Sequence, residues 1–354
     1  MKGESNMFEA LSREEVVSVI RGNGSTRRIP LMMHFWVHPD TYKEKEPDIL
    51  RLLGSYPEDI QVVEVGVPGV YDAPADDPEY RWVNFSNPYP ENPMYELLGL
   101  DGKSAISEWE QLEGILETFP KSSYPGAIPD HKPDGRYSLG HWWFGLFEMH
   151  WRLRGMSNAL MDYYTNPDEV HRLFRAILDL YKGYIIRCHD ELALDGVYTS
   201  DDIGMQTGPF FSMDIYERFF HPYYCELTEC SRKCGMDHWL HACGGIEPFI
   251  PRLIDAGYSV IHPLQKGTMD LQRVVNKHGG SVTFNTGMEV QHVVCHGTPD
   301  DIRKETRDMM DLFWQPNGRL IFGPGNGINY DTSQENLEAL FDEAYRYGTI
   351  KANI

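Results

Sequence analysis

At 354 residues, with 41% hydrophobic and 24% charged residues, the chain can bury a large core, and its length suits either two average domains or one embellished α/β barrel. A formal net charge of -21 opposes phosphate backbones and anionic lipid surfaces, so neither nucleic acid nor a membrane is expected as a partner. Residues 1–6 carry no signal pattern and no apolar run approaches the ~20 residues of a spanning helix, which predicts a cytoplasmic protein.

In chain order, an amphipathic helix over 7–21 precedes an apolar strand at 29–35, a helix at 48–53 and a strand at 60–65. Residues 66–133, rich in Pro, Tyr and Asn, read as a long excursion over a barrel mouth rather than a separate domain. Beyond residue 135, strands at 136–140, 196–200, 237–241, 259–263, 282–285 and 319–323 alternate with helices at 166–194, 213–234, 246–256, 299–313 and 333–347. Helix starts are marked by Asn166-Pro167-Asp168, by Thr298 before Pro299, and by Ser333 before Glu335. The expected fold is α/β, a (β/α)8 TIM barrel, with residues 1–28 as an N-terminal helical extension and 29–354 as the barrel. Six cysteines, with Cys225, Cys230 and Cys234 inside one helix, fit reduced core thiols better than a disulfide framework.

In such a barrel the chemistry sits where strands end. The residues there are polar: His34, Glu64, His141, Asp201, Asp202, His241, Cys243, His262, Gln265, Asn285 and Asn326. Any one alone is equally a hydrogen-bonded loop residue. His241 and Cys243, two apart at a strand end, project to one side and are both zinc ligands of suitable softness, although a core histidine beside a buried thiol has the same spacing.

Several stretches in consistent order resemble the uroporphyrinogen decarboxylase superfamily, covering about residues 8–347. They are Leu153-Arg154-Gly155-Met156 with Leu160-Met161-Asp162 and Asn166-Pro167; Asp201-Asp202-Ile203-Gly204-Met205-Gln206-Thr207-Gly208; His241-Ala242-Cys243-Gly244-Gly245-Ile246 through Ile250-Pro251; His262-Pro263-Leu264-Gln265; and Val290-Gln291 with Gly297-Thr298-Pro299. The haem-pathway decarboxylase of that superfamily has an Arg-Gln-Ala-Gly-Arg motif after its first strand, where this chain reads His34-Phe35-Trp36-Val37-His38. Where that enzyme has an Asp-centred motif, this chain has Glu64-Val65-Gly66. A tetrapyrrole with eight carboxylates is therefore not the expected substrate.

The resemblance points instead to the corrinoid-linked methyltransferases, which hold zinc through His-x-Cys and a later Cys. His241 and Cys243 match the pair, Asn326 stands where the later Cys is expected, and Gln265 stands where the methionine synthase type has a Glu. An alternative set, two acids and a histidine spaced E-x14-E-x20-H, falls on Asp202, Glu217 and His238. The resemblance implies Asp202 and His241 as catalytic groups and His34, Trp36, Glu64, Trp142, Trp143, Gln206 and Asn326 as pocket residues. With Phe35 and Phe144, the tryptophans would wall a pocket for a flat methoxylated ring, or simply fill the barrel mouth.

The implied activity moves a methyl group between a small methylated compound and a corrinoid, with zinc as cofactor. No corrinoid-binding Asp-x-His-x-x-Gly motif occurs in the chain, so the corrinoid would come on a separate protein. Two other readings stay open: a metal-free decarboxylase or lyase using Asp202 and His241 for proton delivery, and a non-catalytic partner of a corrinoid protein, for which Asn326 speaks.

Overall fold

The computed structural model describes residues 8–24, 26–33, 35, 38–84 and 104–353. Seven strands form one parallel sheet in chain order: β1 (Ile60–Glu64), β2 (Tyr137–Trp142), β3 (Gly196–Ser200), β4 (Asp237–His241), β5 (Val260–His262), β6 (Thr283–Met288) and β7 (Leu320–Pro324). The sheet curls into a barrel, and the segment predicted as the strand 29–35 closes it. Met32 N donates to Phe322 O at 3.0 Å, Phe322 N donates to Pro30 O at 2.8 Å, and on the other flank Asp59 N donates to Leu31 O at 3.4 Å. Pro30 has no N–H to give, which accounts for isolated bridges at Leu31 and Phe35 rather than a regular strand.

Strand alternation sorts the apolar residues into two cores. Tyr137, Leu139, Tyr198, Trp239, Val260 and Ile321 fill the barrel interior, and Leu11, Val16 and Ile20 join them from the helix Arg13–Ile20 and its lead-in. That helix starts six residues later than the predicted 7–21, because Ser12 and Glu15 form a reciprocal cap there. The second core lies between the strands and the surrounding helices, among them Pro167–Leu192, Pro299–Phe313 and Gln334–Ala352.

Two helical differences from the sequence reading have local causes. The span expected as one helix over 213–234 divides into Met213–Ile215, a π turn at Tyr216–Phe220, and His221–Lys233, since Pro222 cannot donate into the ladder. The helices Leu146–Arg154 and Met156–Thr165, not anticipated, are separated by Gly155 at φ 80°. Within the 66–133 excursion the described part buries Trp82, Val83, Ile106 and Leu112, and Trp82 meets Phe119 and Tyr181 edge-on. Residues 85–103 lie outside the described residues. Among the described residues no helix is long and apolar enough to cross a membrane, and all six cysteines are free.

Register brings the strand ends level. Glu64 lies beside His141, Ser200 beside His241, and His241 beside His262. Five neighbouring strands thus deliver a polar layer above the apolar interior.

Candidate metal centre at the strand ends

The loop after β3, the last residue of β4 and the loop that follows it meet at Asp202, His241 and Cys243. Ligand atoms of these three all lie within 4.8 Å of one another, the one such group among the described residues. His241 Nε2 is 3.3 Å from Cys243 Sγ and 3.6 Å from Asp202 Oδ1, and Asp202 Oδ1 also accepts from Cys243 N at 2.7 Å. Asn326, on the loop after β7, donates from Nδ2 to Cys243 Sγ at 3.3 Å.

The far side of the imidazole is equally ordered. His241 Nδ1 lies 3.2 Å from Tyr198 Oη and 2.9 Å from His262 Nδ1, and Tyr198 Oη lies 2.7 Å from His262 Nδ1. These contacts fix the ring so that Nε2 faces Asp202 and Cys243, as an orienting partner does for a ligating histidine. Trp143 packs edge-on against His241, with ring centroids 5.1 Å apart.

The loop that carries Cys243 is held by close backbone approach. Gly244 has φ 82°, and a Cβ there would meet Gly204 C at 2.5 Å. Gln265 Oε1 accepts from Gly244 N at 3.1 Å, and the Gln265 amide donates to Gln206 Oε1 at 3.2 Å. Both glutamines therefore brace the loop rather than reach toward the triad.

Negative groups crowd the site. Asp201 accepts from the backbone N–H groups of Leu146, Phe147 and Glu148 at 2.9–3.1 Å, and so starts the helix Leu146–Arg154. Burial raises its carboxyl to about 6. Glu148, accepting from Ser200 Oγ at 2.5 Å, is pushed well above the carboxylate range by burial and then by the Asp202 and Asp201 carboxylates. Burial, with Asp202 and Glu148 adding to it, raises the Cys243 thiol, while burial lowers His241. Carboxylates and a thiol that resist ionisation together, beside a neutral imidazole, are the environment a divalent cation relieves. The donor set of carboxylate, imidazole and thiol fits zinc.

The triad takes Asp202 from the acidic set and His241 and Cys243 from the His-x-Cys pair. The other two members of the acidic set lie elsewhere. Glu217 sits on the π turn and pairs with Arg252, with Nη2 at 2.6 Å, and this pairing lowers its carboxyl. His238 is buried on the outward face of β4, 2.9 Å from Ser231 Oγ and 3.2 Å from Thr199 Oγ1. Trp142 likewise faces outward, its ring 5.7 Å from that of Tyr181. Glu64 is not in the triad but pairs with His141, both its oxygens 3.0 Å from Nδ1. His34 and Trp36 lie outside the described residues.

Sequence reasoning missed Glu148 and Tyr198. Tyr198 carried a signal, being two residues before Ser200 and so inward on the same face. Glu148 carried none, because the cap that places its helix comes from Asp201 on another unit. A cavity of about 820 Å³ lies at the opposite end of β4, lined by Arg21, Asp237 and Ser259, away from the triad.

The parallel barrel gathers a carboxylate, an imidazole and a thiol at its strand ends, a donor set that could hold a metal ion. The chain belongs to the uroporphyrinogen decarboxylase (URO-D) family, whose sequence profile matches residues 149–347. It is also similar in fold to a methyltransferase from Methanosarcina mazei, with a TM-score of 0.58 at 14% identity over 96% of this chain and 99% of that one. A uronate isomerase from Bacillus halodurans C-125 overlaps less well, at TM-score 0.34 and 10% identity over 97% of this chain and 89% of that one. No curated protein matches the sequence.

Proposed function

We propose that the protein is a methyltransferase that moves a methyl group between a small methylated compound and a corrinoid carried by a separate protein, at a zinc site formed by Asp202, His241 and Cys243. The observation that carries this reading is the convergence of the three donor atoms within 4.8 Å at the strand ends. The likeness of fold to the Methanosarcina mazei methyltransferase supports it.

Asp202 supplies the anionic donor that the missing cysteine at position 326 would have given. His241 would coordinate through Nε2, since Tyr198 and His262 hold Nδ1. Asn326 donates to the Cys243 sulphur and favours its thiolate. Asp202, His241 and Cys243 would hold zinc, which would supply Lewis acidity to the oxygen of a methyl ether or stabilise an acceptor thiolate. Trp143 shields the imidazole face from water, and few cations line the site, which suits a small and nearly neutral substrate such as a methoxylated ring.

The test is metal analysis of protein purified without oxygen, followed by the absorbance change of cob(I)alamin to methylcobalamin with a panel of methyl ethers. About one zinc per chain is expected, lowered by His241→Ala and Cys243→Ser and unaltered by Glu217→Gln. A second reading, a metal-free decarboxylase or lyase of a small carboxylic acid, is favoured by Glu148, a buried neutral acid beside Asp202 that could deliver a proton to a carbanion. Zinc-free protein that releases carbon dioxide from such an acid would decide for it.

A further inference from the structure

We infer that Glu64 and His141 form a separate ligand subsite, which takes the hydroxyl hydrogen of a small, otherwise apolar molecule. The inference deepens the methyltransferase reading and rests on it for the identity of the ligand as substrate, but not for the existence of the subsite.

A cavity of about 360 Å³ is lined by Met32, Met33, Phe35 and Val62 as apolar walls and by His141 and Tyr198. The polar side chains that line it are mostly engaged elsewhere. Glu58 accepts from Met33 N at 3.0 Å, Arg136 is paired with Asp134 at 2.6 Å, and Tyr198 bonds His262. Gln61 contacts Lys132 O and Ser138 Oγ, each at 3.4 Å. His141 is the exception: its side chain is 2% exposed and its Nε2 has no partner among the described residues.

The chemistry of that nitrogen is set from behind. Both Glu64 oxygens lie 3.0 Å from Nδ1, and a carboxylate only accepts, so the pairing selects the Nδ1–H tautomer, in which Nε2 is an acceptor. A buried acceptor left empty is costly, and a ligand that fills it regains that cost. One acceptor matches one donor. A hydroxyl satisfies it fully, whereas an ammonium would bring two further N–H groups against apolar walls. Glu64 is 71% exposed, so the carboxylate stays solvated while the imidazole it orients is not. Trp143 stands edge-on to His141 at 4.4 Å and to His241 at 5.1 Å, so the subsite and the triad both border one indole.

The experiment compares phenol with toluene, of nearly equal size and differing in the donor, by calorimetry on the full-length protein. Phenol is expected to bind about tenfold more tightly, with the preference abolished in His141→Phe and reduced in Glu64→Leu. Should His141→Phe not fold, nitrogen-15 histidine spectra of the wild type give the same answer: phenol, and not toluene, moves the Nε2 resonance of the ring paired with Glu64, identified by its loss of that pairing in Glu64→Leu. Equal binding of the two probes, failure of both to bind, an unmoved resonance or a preference that survives His141→Phe would overturn the subsite. Zinc content measured on the same samples tests the metal centre independently. Loss of the phenol preference with zinc retained sinks only the subsite, and absence of zinc with the preference intact sinks only the metal reading.

Discussion

Replacing Asn326 by cysteine tests whether position 326 lies at the edge of a coordination sphere. Asn326 Nδ2 is 3.3 Å from Cys243 Sγ. A cysteine sulphur branches one bond nearer the backbone than that nitrogen, so the two sulphurs would begin roughly 3.3–5 Å apart, bracketing the ~3.8 Å that two sulphurs at ~2.3 Å span across a tetrahedral zinc. Asn326→Cys exchanges a neutral amide for a soft anionic donor, and the expected gain is a zinc Kd lower by about 10–100-fold, or ~1.4–2.7 kcal/mol. The same change places a third anion around the ion and weakens it as a Lewis acid, so ether cleavage should slow while binding tightens. Competition against a chromophoric chelator, run without oxygen, measures the first effect, and methylcobalamin formation measures the second. Zinc binding that is unchanged or weaker in a folded variant would show that residue 326 does not face the ion, and the assignment of Asp202 as its replacement would fall with it.

Three further outcomes follow from the fold. Asp59 is fully buried, is paired with Arg28 at 2.5 Å and accepts from Leu11 N and Leu31 N at 2.7 Å, tying the N-terminal extension to the barrel; Asp59→Ala should cost about 3–5 kcal/mol in urea unfolding, whereas Arg28→Met with Asp59→Leu should recover most of it. A cost below about 1 kcal/mol would mean that residues 1–28 are not one folding unit with the rest, as we propose they are. Burial lowers the His238 imidazole from 6.5 to about 3, so protonation favours the unfolded chain: its contribution is whole above pH 6.5 and is lost as pH falls from 6.5 to 3, with about 2.7 kcal/mol already lost by pH 4.5. His238→Gln should flatten the dependence of unfolding free energy on pH in that window by about one proton, and an unaltered slope would contradict the burial argument. Gly244→Ala should cost about 1–3 kcal/mol and lower zinc content, since φ 82° and the backbone of Gly204 at 2.5 Å leave a methyl no room; a stable, zinc-replete variant would show that the loop yields.

The later barrel was legible because its strands are buried on both faces and stand out as short apolar runs between turn residues. Gly196–Ser200 and Asp237–His241 fall where the sequence reading placed them, and so does the helix Pro299–Phe313, whose Thr298 cap and Pro299 are local signals. The N-terminal half was less legible for physical reasons that are not local. Residues 29–33 join the barrel through a pairing with β7, nearly three hundred residues away in the chain, and the helix Leu146–Arg154 begins where Asp201 caps it. A cap supplied by another β/α unit leaves no trace in the neighbouring sequence.

Strand parity separates the two metal sets, and it was available in the sequence. Side chains two apart on a strand share a face, and those an odd number apart do not. His238 precedes His241 by three residues, so once His241 faces the barrel axis His238 must face the helices, where it meets Ser231. The E-x14-E-x20-H spacing falls here on the loop after β3, on a π turn whose Glu217 already has Arg252, and on the outward face of β4. Trp142 follows the same rule against His141 and turns to Tyr181, which removes it from any pocket at the mouth. Asp202 needed more than parity. It follows a strand end, where a loop can turn either way, and only the Cys243 N–H on the neighbouring unit aims its carboxylate at the imidazole. The two residues whose faces a strand dictates could be read from spacing; the carboxylate that completes the set is positioned by a contact between strands.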